Sequence, residues 1–385
     1  MIYLDNNAST PVDPEVSDAI FSCVKRDFGN PSSVHMQGRR AREVVETSRK
    51  HISDLLECSH KEIIFTSGGT EANNLALLGT VMLHHSGHII TTSIEHPSVF
   101  NTVRHLESRG FQVTYIDADS TGAVKPEEIS KAVRRNTILI SIMHSNNETG
   151  VLQPIEDIGA LAKKHVIPFH VDAAQSIGKS YFTLRNSSID MLTIAPHKFY
   201  GPKGIGALYI RSGRNVFPLM FGADHEMGLR PGTENVPGIA GFAKACQLTI
   251  SDLKLRVSHT AHLREILFLK LLEGIPDIVL NGHKTNRLPN TLNICIPGIS
   301  ADDLVNVLNE QVAISSGSAC HSGKQIASRV LKSMGLSDQA ALSSIRLSIG
   351  KDNTEEEIQK AAEIIICAVH DLRKSTPLKS LEYKA

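Results

Sequence analysis

Apolar and polar positions along this chain fall into blocks that switch between two periods. Short runs such as Ile63-Ile64-Phe65, Ile89-Ile90, Val113-Thr114-Tyr115-Ile116 and Ile138-Leu139-Ile140 have the β-branched and aromatic make-up of strands. Between them, apolar residues at 41, 44, 45, 52, 55 and 56 return at the spacing of one helix face. The pattern predicts strands at 62–66, 88–92, 113–116, 137–142, 166–171, 191–195 and 206–210, and helices over 15–27, 37–56, 71–84 and 155–165. Repeated strand–helix units of this kind build a mainly parallel, twisted sheet with helices on both faces. Residues 1–15 hold too many Asx, Ser/Thr and Pro residues for a helix and read as an extended arm.

Past residue 220 the pattern changes. A long stretch, 221–235, has no periodicity, which in a compact protein points to function or disorder. A long helix follows over 239–273, then a smaller α+β set: strands at 292–296 and 344–349, a strand entering 315, and helices over 301–310 and 355–372. Thr354 and Glu357 form a capping box for the last helix.

Composition narrows the function classes. With 385 residues, 41% of them hydrophobic, the chain can fill one large or two ordinary domains. Forty basic residues balance forty acidic ones, so no overall field draws nucleic acid or an anionic membrane surface. No apolar run reaches the ~20 residues of a bilayer span. Asp5 stands where a signal peptide has its apolar core, so a cytoplasmic location is expected. Six cysteines lie scattered with no CxxC or metal-like spacing, which argues against zinc and against a disulfide framework. Cys23, Cys58, Cys246, Cys295 and Cys367 read as small core residues.

Three stretches carry candidate chemistry. Lys198 lies between a short apolar strand and the turn Gly201-Pro202-Lys203-Gly204, where burial can lower the pKa of an amine and make it a Schiff-base nucleophile. Upstream, His170-Val171-Asp172-Ala173-Ala174-Gln175 ends another strand with a carboxylate and an amide. Pyridoxal phosphate needs a lysine at its aldehyde and a carboxylate at its pyridinium nitrogen, and Lys198 and Asp172 have those chemistries. The strand–turn–helix at Ser67-Gly68-Gly69-Thr70 suits an anion at a helix N-terminus, or is simply a helix capped by Thr70. Cys320, in Ser315-Ser316-Gly317-Ser318-Ala319-Cys320-His321-Ser322-Gly323-Lys324, sits in a loop of small polar residues beside a histidine and a lysine that favour its thiolate. There is no G-x-G-x-x-G after the first strand and no phosphate loop of the GxxxxGK type.

These motifs, with Glu95-His96-Pro97 and Asn146-Asn147-Glu148-Thr149-Gly150, run in order from Tyr3-Leu4-Asp5 to Arg346. Together they resemble the cysteine desulfurase and selenocysteine lyase family. The resemblance implies a fold-type I pyridoxal phosphate enzyme: a large α/β domain over 15–255 with a mainly parallel seven-stranded sheet, and a small α+β domain from 1–14 and 256–385. It implies Lys198, His96 and Cys320 as catalytic residues. Asp172, Gln175, His96, Gly69, Thr70, His197, Asn147 and Thr233 would hold the cofactor, and Arg346 with Asn147 the substrate carboxylate. No metal is implied. The substrate would be L-cysteine or L-selenocysteine, and sulfur would pass from Cys320 to an acceptor protein for iron–sulfur clusters or tRNA thiolation. The loop bearing Thr233 would reach the partner's site in a homodimer, with no direct nucleic-acid or membrane partner. In many such enzymes a serine stands two residues before the histidine of the lysine motif. Here it is Ala195, which implies a phosphate cup with fewer ligands and weaker cofactor retention. An aminotransferase, for which Cys320 is dispensable, and a non-catalytic relic of the fold are the competing expectations.

Overall fold

In the computed structural model, residues 1–321 and 324–375 are described, with only the backbone at 318–321, 324 and 325. Seven strands form one sheet in the order Gln112–Ile116, His88–Thr92, Thr137–Met143, Phe169–Asp172, Met191–Ile194, Gly206–Ile210, Ile63–Thr66. Neighbours run parallel except Gly206–Ile210, which is antiparallel to both of its partners. This is the α/β architecture the alternation of elements predicts.

Strands buried on both faces explain the nearly unbroken apolar runs. Ile90, Ile140, Val171 and Leu192 pack into one core with Val45, Ile52 and Ile158, from the helices Met36–Leu56 and Ile155–Lys164. Ile89, Leu139, Met191 and Leu208 face the other way, against Leu75, Leu77, Val99 and Val103 of the helices Gly69–Val81 and Pro97–Ser108. Adjacent residues of one strand therefore feed two cores, as a period of two requires.

A third apolar cluster joins Leu263, Leu267 and Leu271, late in the helix Val236–Gly274, to the helices Ala301–Leu308 and Glu355–Ser375. It covers an antiparallel sheet in the order Ser315–Ser316, Ser344–Ser348, Thr291–Cys295, Val279–Leu280. Ile2 and Leu4 belong to this cluster, because Ile2–Tyr3 pairs in parallel with Val312–Ala313 and Asp5 bridges to Ser348. The arm thus ties the start of the chain to its last strand.

Several boundaries differ from expectation, each for a local reason. The strand predicted at 166–171 begins at Phe169, because Val166 is an exposed turn residue with φ 57°. The helix predicted from 71 begins at Gly69 with Gly68 as its cap, so Thr70 is not the N-cap. The long helix starts at Val236, where Asn235 caps it and Pro237 fits the first turn. Short helices at Pro126–Ala132, Arg329–Ser333 and Asp338–Leu342 carry too few apolar residues to show a period. Cys367 is exposed and Cys58 only half-buried, so neither is the core residue expected: Cys367 lies on an outward face of the helix Glu355–Ser375, and Cys58 in the bend after the helix Met36–Leu56. The Cys320 segment, expected as a loop, pairs its backbone 318–321 antiparallel with 324–327; its small polar residues have no apolar alternation to announce a strand. No described helix is long and apolar enough to cross a membrane.

Candidate active site

Ligands of open α/β sheets gather at the carboxyl ends of the strands. There, a cavity of about 240 Å³ is lined by Gly69, Thr70, Asn73, His96, Ser98, Asn147, Asp172, Gln175, Ala195, His197 and Lys198. Two larger clefts, about 630 and 580 Å³, bring no buried lysine to a carboxylate, so chemistry rather than size singles out this one.

Asp172 is the last residue of its strand. Its Oδ1 accepts from the Ala174 N–H at 3.0 Å and its Oδ2 from Asn73 Nδ2 at 2.8 Å, which fixes a buried carboxylate from two sides. Lys198 closes the single turn Pro196–Lys198, and its Nζ donates to the backbone carbonyls of Asn7 at 2.8 Å and Ala8 at 2.9 Å. Burial pushes this amine down to about 8, helped by the charge of Arg346 and opposed by Asp172 and Asp5. His197, burdened by burial and by the cations Lys198, Lys203 and Lys179, falls to about 4 and is neutral at physiological pH.

His96 caps the helix Pro97–Ser108 through Nδ1, which accepts from the Ser98 N–H at 3.2 Å. A capping histidine and a cavity histidine are here the same residue. Burial lowers its pKa, with Lys198 and Arg329 adding to the effect and Asp172 opposing it. At the far side, the helix Gly69–Val81 begins without a side-chain cap among the described residues, and Gly69 and Thr70 of its first turn line the cavity. The turn before it lies against the strand Gly206–Ile210: a Cβ at Gly206 would stand 2.6 Å from the Gly68 carbonyl carbon, so only glycine allows the approach.

Of the residues expected at the site, the fold therefore unites Gly69, Thr70, His96, Asn147, Asp172, Gln175, His197 and Lys198. Arg346 stands beside them. Its guanidinium donates to the Asn147 carbonyl at 3.0 Å, to Asp5 at 2.7 Å and to Ser315 Oγ at 2.9 Å, while its buried Nε has no partner among the described residues. Thr233 is exposed and does not line this cavity. The side chain of Cys320 lies outside the described residues.

Comparison with known proteins places this geometry. The class-V aminotransferase model matches residues 2–361. A cysteine desulfurase of Nostoc sp. is 43% identical over 99% of this chain and 96% of its own length. The chain belongs to the cysteine desulfurases of the class-V aminotransferase family. The desulfurase IscS of Methanosarcina thermophila is 42% identical over 100% of this chain and 95% of its own. Among solved structures, a NifS-like protein superposes with a TM-score of 0.91 at 37% identity, covering 96% of this chain and 100% of that one. SspA in complex with cysteine gives 0.81 at 37%, covering 92% and 100%.

Four residues of this candidate site have no counterpart among those expected from the sequence. Asn7 offers its carbonyl to Lys198 and to Gln175 Nε2 at 2.8 Å, and its Oδ1 to Lys179. Lys179 Nζ also donates to Gln175 Oε1 at 2.7 Å, so the amide of Gln175 has one orientation. Burial and the nearby charges of Lys198 and Arg346 hold that lysine well below its usual range. Asn73 and Ser98 complete the set. The one available signal was polar residues interrupting apolar helix runs, as Asn73 does between Ala72 and Leu75.

Proposed function

We propose that this desulfurase binds pyridoxal phosphate at Lys198 and converts L-cysteine to L-alanine, storing the sulfur as a persulfide on Cys320 for an acceptor protein. The observation that carries the reading is the buried Lys198 amine, near pKa 8, sharing a cavity with a carboxylate anchored from two sides. The donor set suits the cofactor: an amine for its aldehyde, Asp172 for its ring nitrogen, and the uncapped N-terminus of Gly69–Val81 for its phosphate. When bound, the cofactor supplies an electrophilic carbonyl and an electron-accepting ring.

The remaining work falls to side chains of this protein. Thr70 and His197 would hold the phosphate at the uncapped helix N-terminus, where Ala195 would add only a methyl group, and Gln175 Nε2 would hold the phenolic oxygen. Asn147 and Arg346 hold the substrate carboxylate, a task matched to guanidinium geometry, with the unpartnered Nε as a spare donor. Lys198 or His96 moves the Cα proton. The Cys320 thiolate attacks the substrate sulfur, the Cβ–S bond breaks, and a proton replaces sulfur on carbon, so that one cysteine yields one alanine and one enzyme persulfide. That SspA has been solved with cysteine bound supports the choice of substrate. The separate apolar cluster around Leu267 and Ile365 supports dividing the chain into a large domain, 15–255, and a small one from 1–14 and 256–385. A cytoplasmic setting keeps a reactive thiol reduced.

Mass spectrometry after incubation with L-cysteine tests the reading. One extra sulfur atom on Cys320, with free alanine in step, is the expected result. Activity surviving in Cys320→Ala would instead mark an aminotransferase, and turnover confined to L-selenocysteine a selenocysteine lyase.

A further inference from the structure

The cavity contains a hydrogen-bonded chain of which the assigned roles use only the Asn73–Asp172 bond. Asn73 Nδ2 donates one proton to Asp172 Oδ2 and the other to Ser98 Oγ, both at 2.8 Å, and Ser98 Oγ lies 2.7 Å from His96 Nδ1. Because an amide nitrogen only donates, the Ser98 oxygen is an acceptor on that side. Among the described residues its own proton has one hydrogen-bond acceptor, His96 Nδ1. The Ser98 backbone N–H points at the same ring nitrogen, at 3.2 Å. Two donors facing Nδ1 leave it no proton of its own, so a neutral ring carries its proton on Nε2. The ring lines the cavity, and Nε2 has no partner among the described residues.

We infer that Ser98 and Asn73 are positioning residues that hold His96 as the Nε2–H tautomer, a hydrogen-bond donor toward whatever occupies the cavity. The inference rests on the catalytic reading of the cavity and deepens it by giving the neutral His96 ring the part of a donor. Asn73 links the two ends: the amide that anchors Asp172 also sets the direction of the Ser98 hydroxyl. Asp172, Lys198, His197 and Arg329 all act on the ring electrostatically, and because His197 is pushed to about 4 and Lys198 to about 8, the His96 titration is compared between variants over one common pH range.

The test is the nitrogen spectrum of protein labelled with ¹⁵N-histidine, recorded without cofactor or substrate, with the His96 signals identified by their loss in His96→Gln. At neutral pH the expected pattern is a protonated Nε2 and a bare, hydrogen-bonded Nδ1. In Ser98→Ala the hydroxyl that disfavours a proton on Nδ1 is gone, so the ring titrates higher, by roughly half to one pH unit. Ser98→Thr keeps the hydroxyl and the wild-type titration, and Asn73→Ala gives a smaller rise in the same direction. A proton on Nδ1 in the wild-type protein overturns the inference, as does an unchanged titration in a folded Ser98→Ala. Because the spectrum needs no turnover, a failed desulfurase assay beside the expected tautomer would overturn the function and spare the relay.

Discussion

Lys198 shows how much one side chain depends on its surroundings. Its amine is neutral only above about pH 8, because burial and then Arg346 disfavour the charged form. A neutral amine is the nucleophile, so capture of added pyridoxal phosphate should slow about tenfold for each pH unit below about 8 and level off above it. Following the yellow colour after mixing measures this, and a flat profile from acid to alkaline pH would contradict it. Removing the Arg346 charge should move the bend to higher pH. Lys198 and Asp172 were legible because each follows a strand whose apolar run is visible in the sequence. Asn7, Ser98 and Lys179 were not, since a single polar residue in a loop or first helical turn looks the same whether it faces solvent or a cavity.

Among the elements, the aperiodic stretch 221–235 is held by a feature no periodicity can reveal. Glu226 and Met227 have φ of 46° and 58°, and Glu226 turns its carboxylate inward. Its two oxygens accept from Arg49 of the Met36–Leu56 helix at 2.8 Å each, and Oε2 also accepts from the Phe65 N–H at 2.7 Å. Removing one partner of a buried ion pair strands the other. Glu226→Ala should therefore cost about 3–5 kcal/mol of stability, read as a lower denaturant midpoint or Tm. A loss below about 1 kcal/mol would mean that water reaches Arg49. The pair spans 177 residues, which is why sequence marked the loop as unusual without saying what it leans on. The box at the last helix was readable for the opposite reason. The Thr354 N–H donates to Glu357 Oε2 at 3.1 Å and the Glu357 N–H to Thr354 Oγ1 at 3.2 Å, all within three residues.

At the scale of the whole molecule, two loops gather apolar side chains that the single chain leaves uncovered. Phe28, Val34 and Met36 are 70%, 86% and 55% exposed, and Phe221 and Met227 are 79% and 56%. The Ser32–His225 contact at 3.1 Å brings the two loops together. The homodimer that the family resemblance implies would cover such a patch. Sedimentation should give twice the mass of one chain, and Phe221→Glu should shift the population toward single chains. A wild-type protein sedimenting as one chain would refute the dimer. The N-terminal arm carries a different consequence. Asn7 holds Lys198 and Gln175, and the arm is itself held by Ser348 and Thr291. Asn7 and Lys198 both precede Thr291 and Ser348 along the chain, so a nascent polypeptide has its lysine before the clasp that orients it. Orientation of that lysine by the arm therefore waits until the strand Ser344–Ser348 has been made.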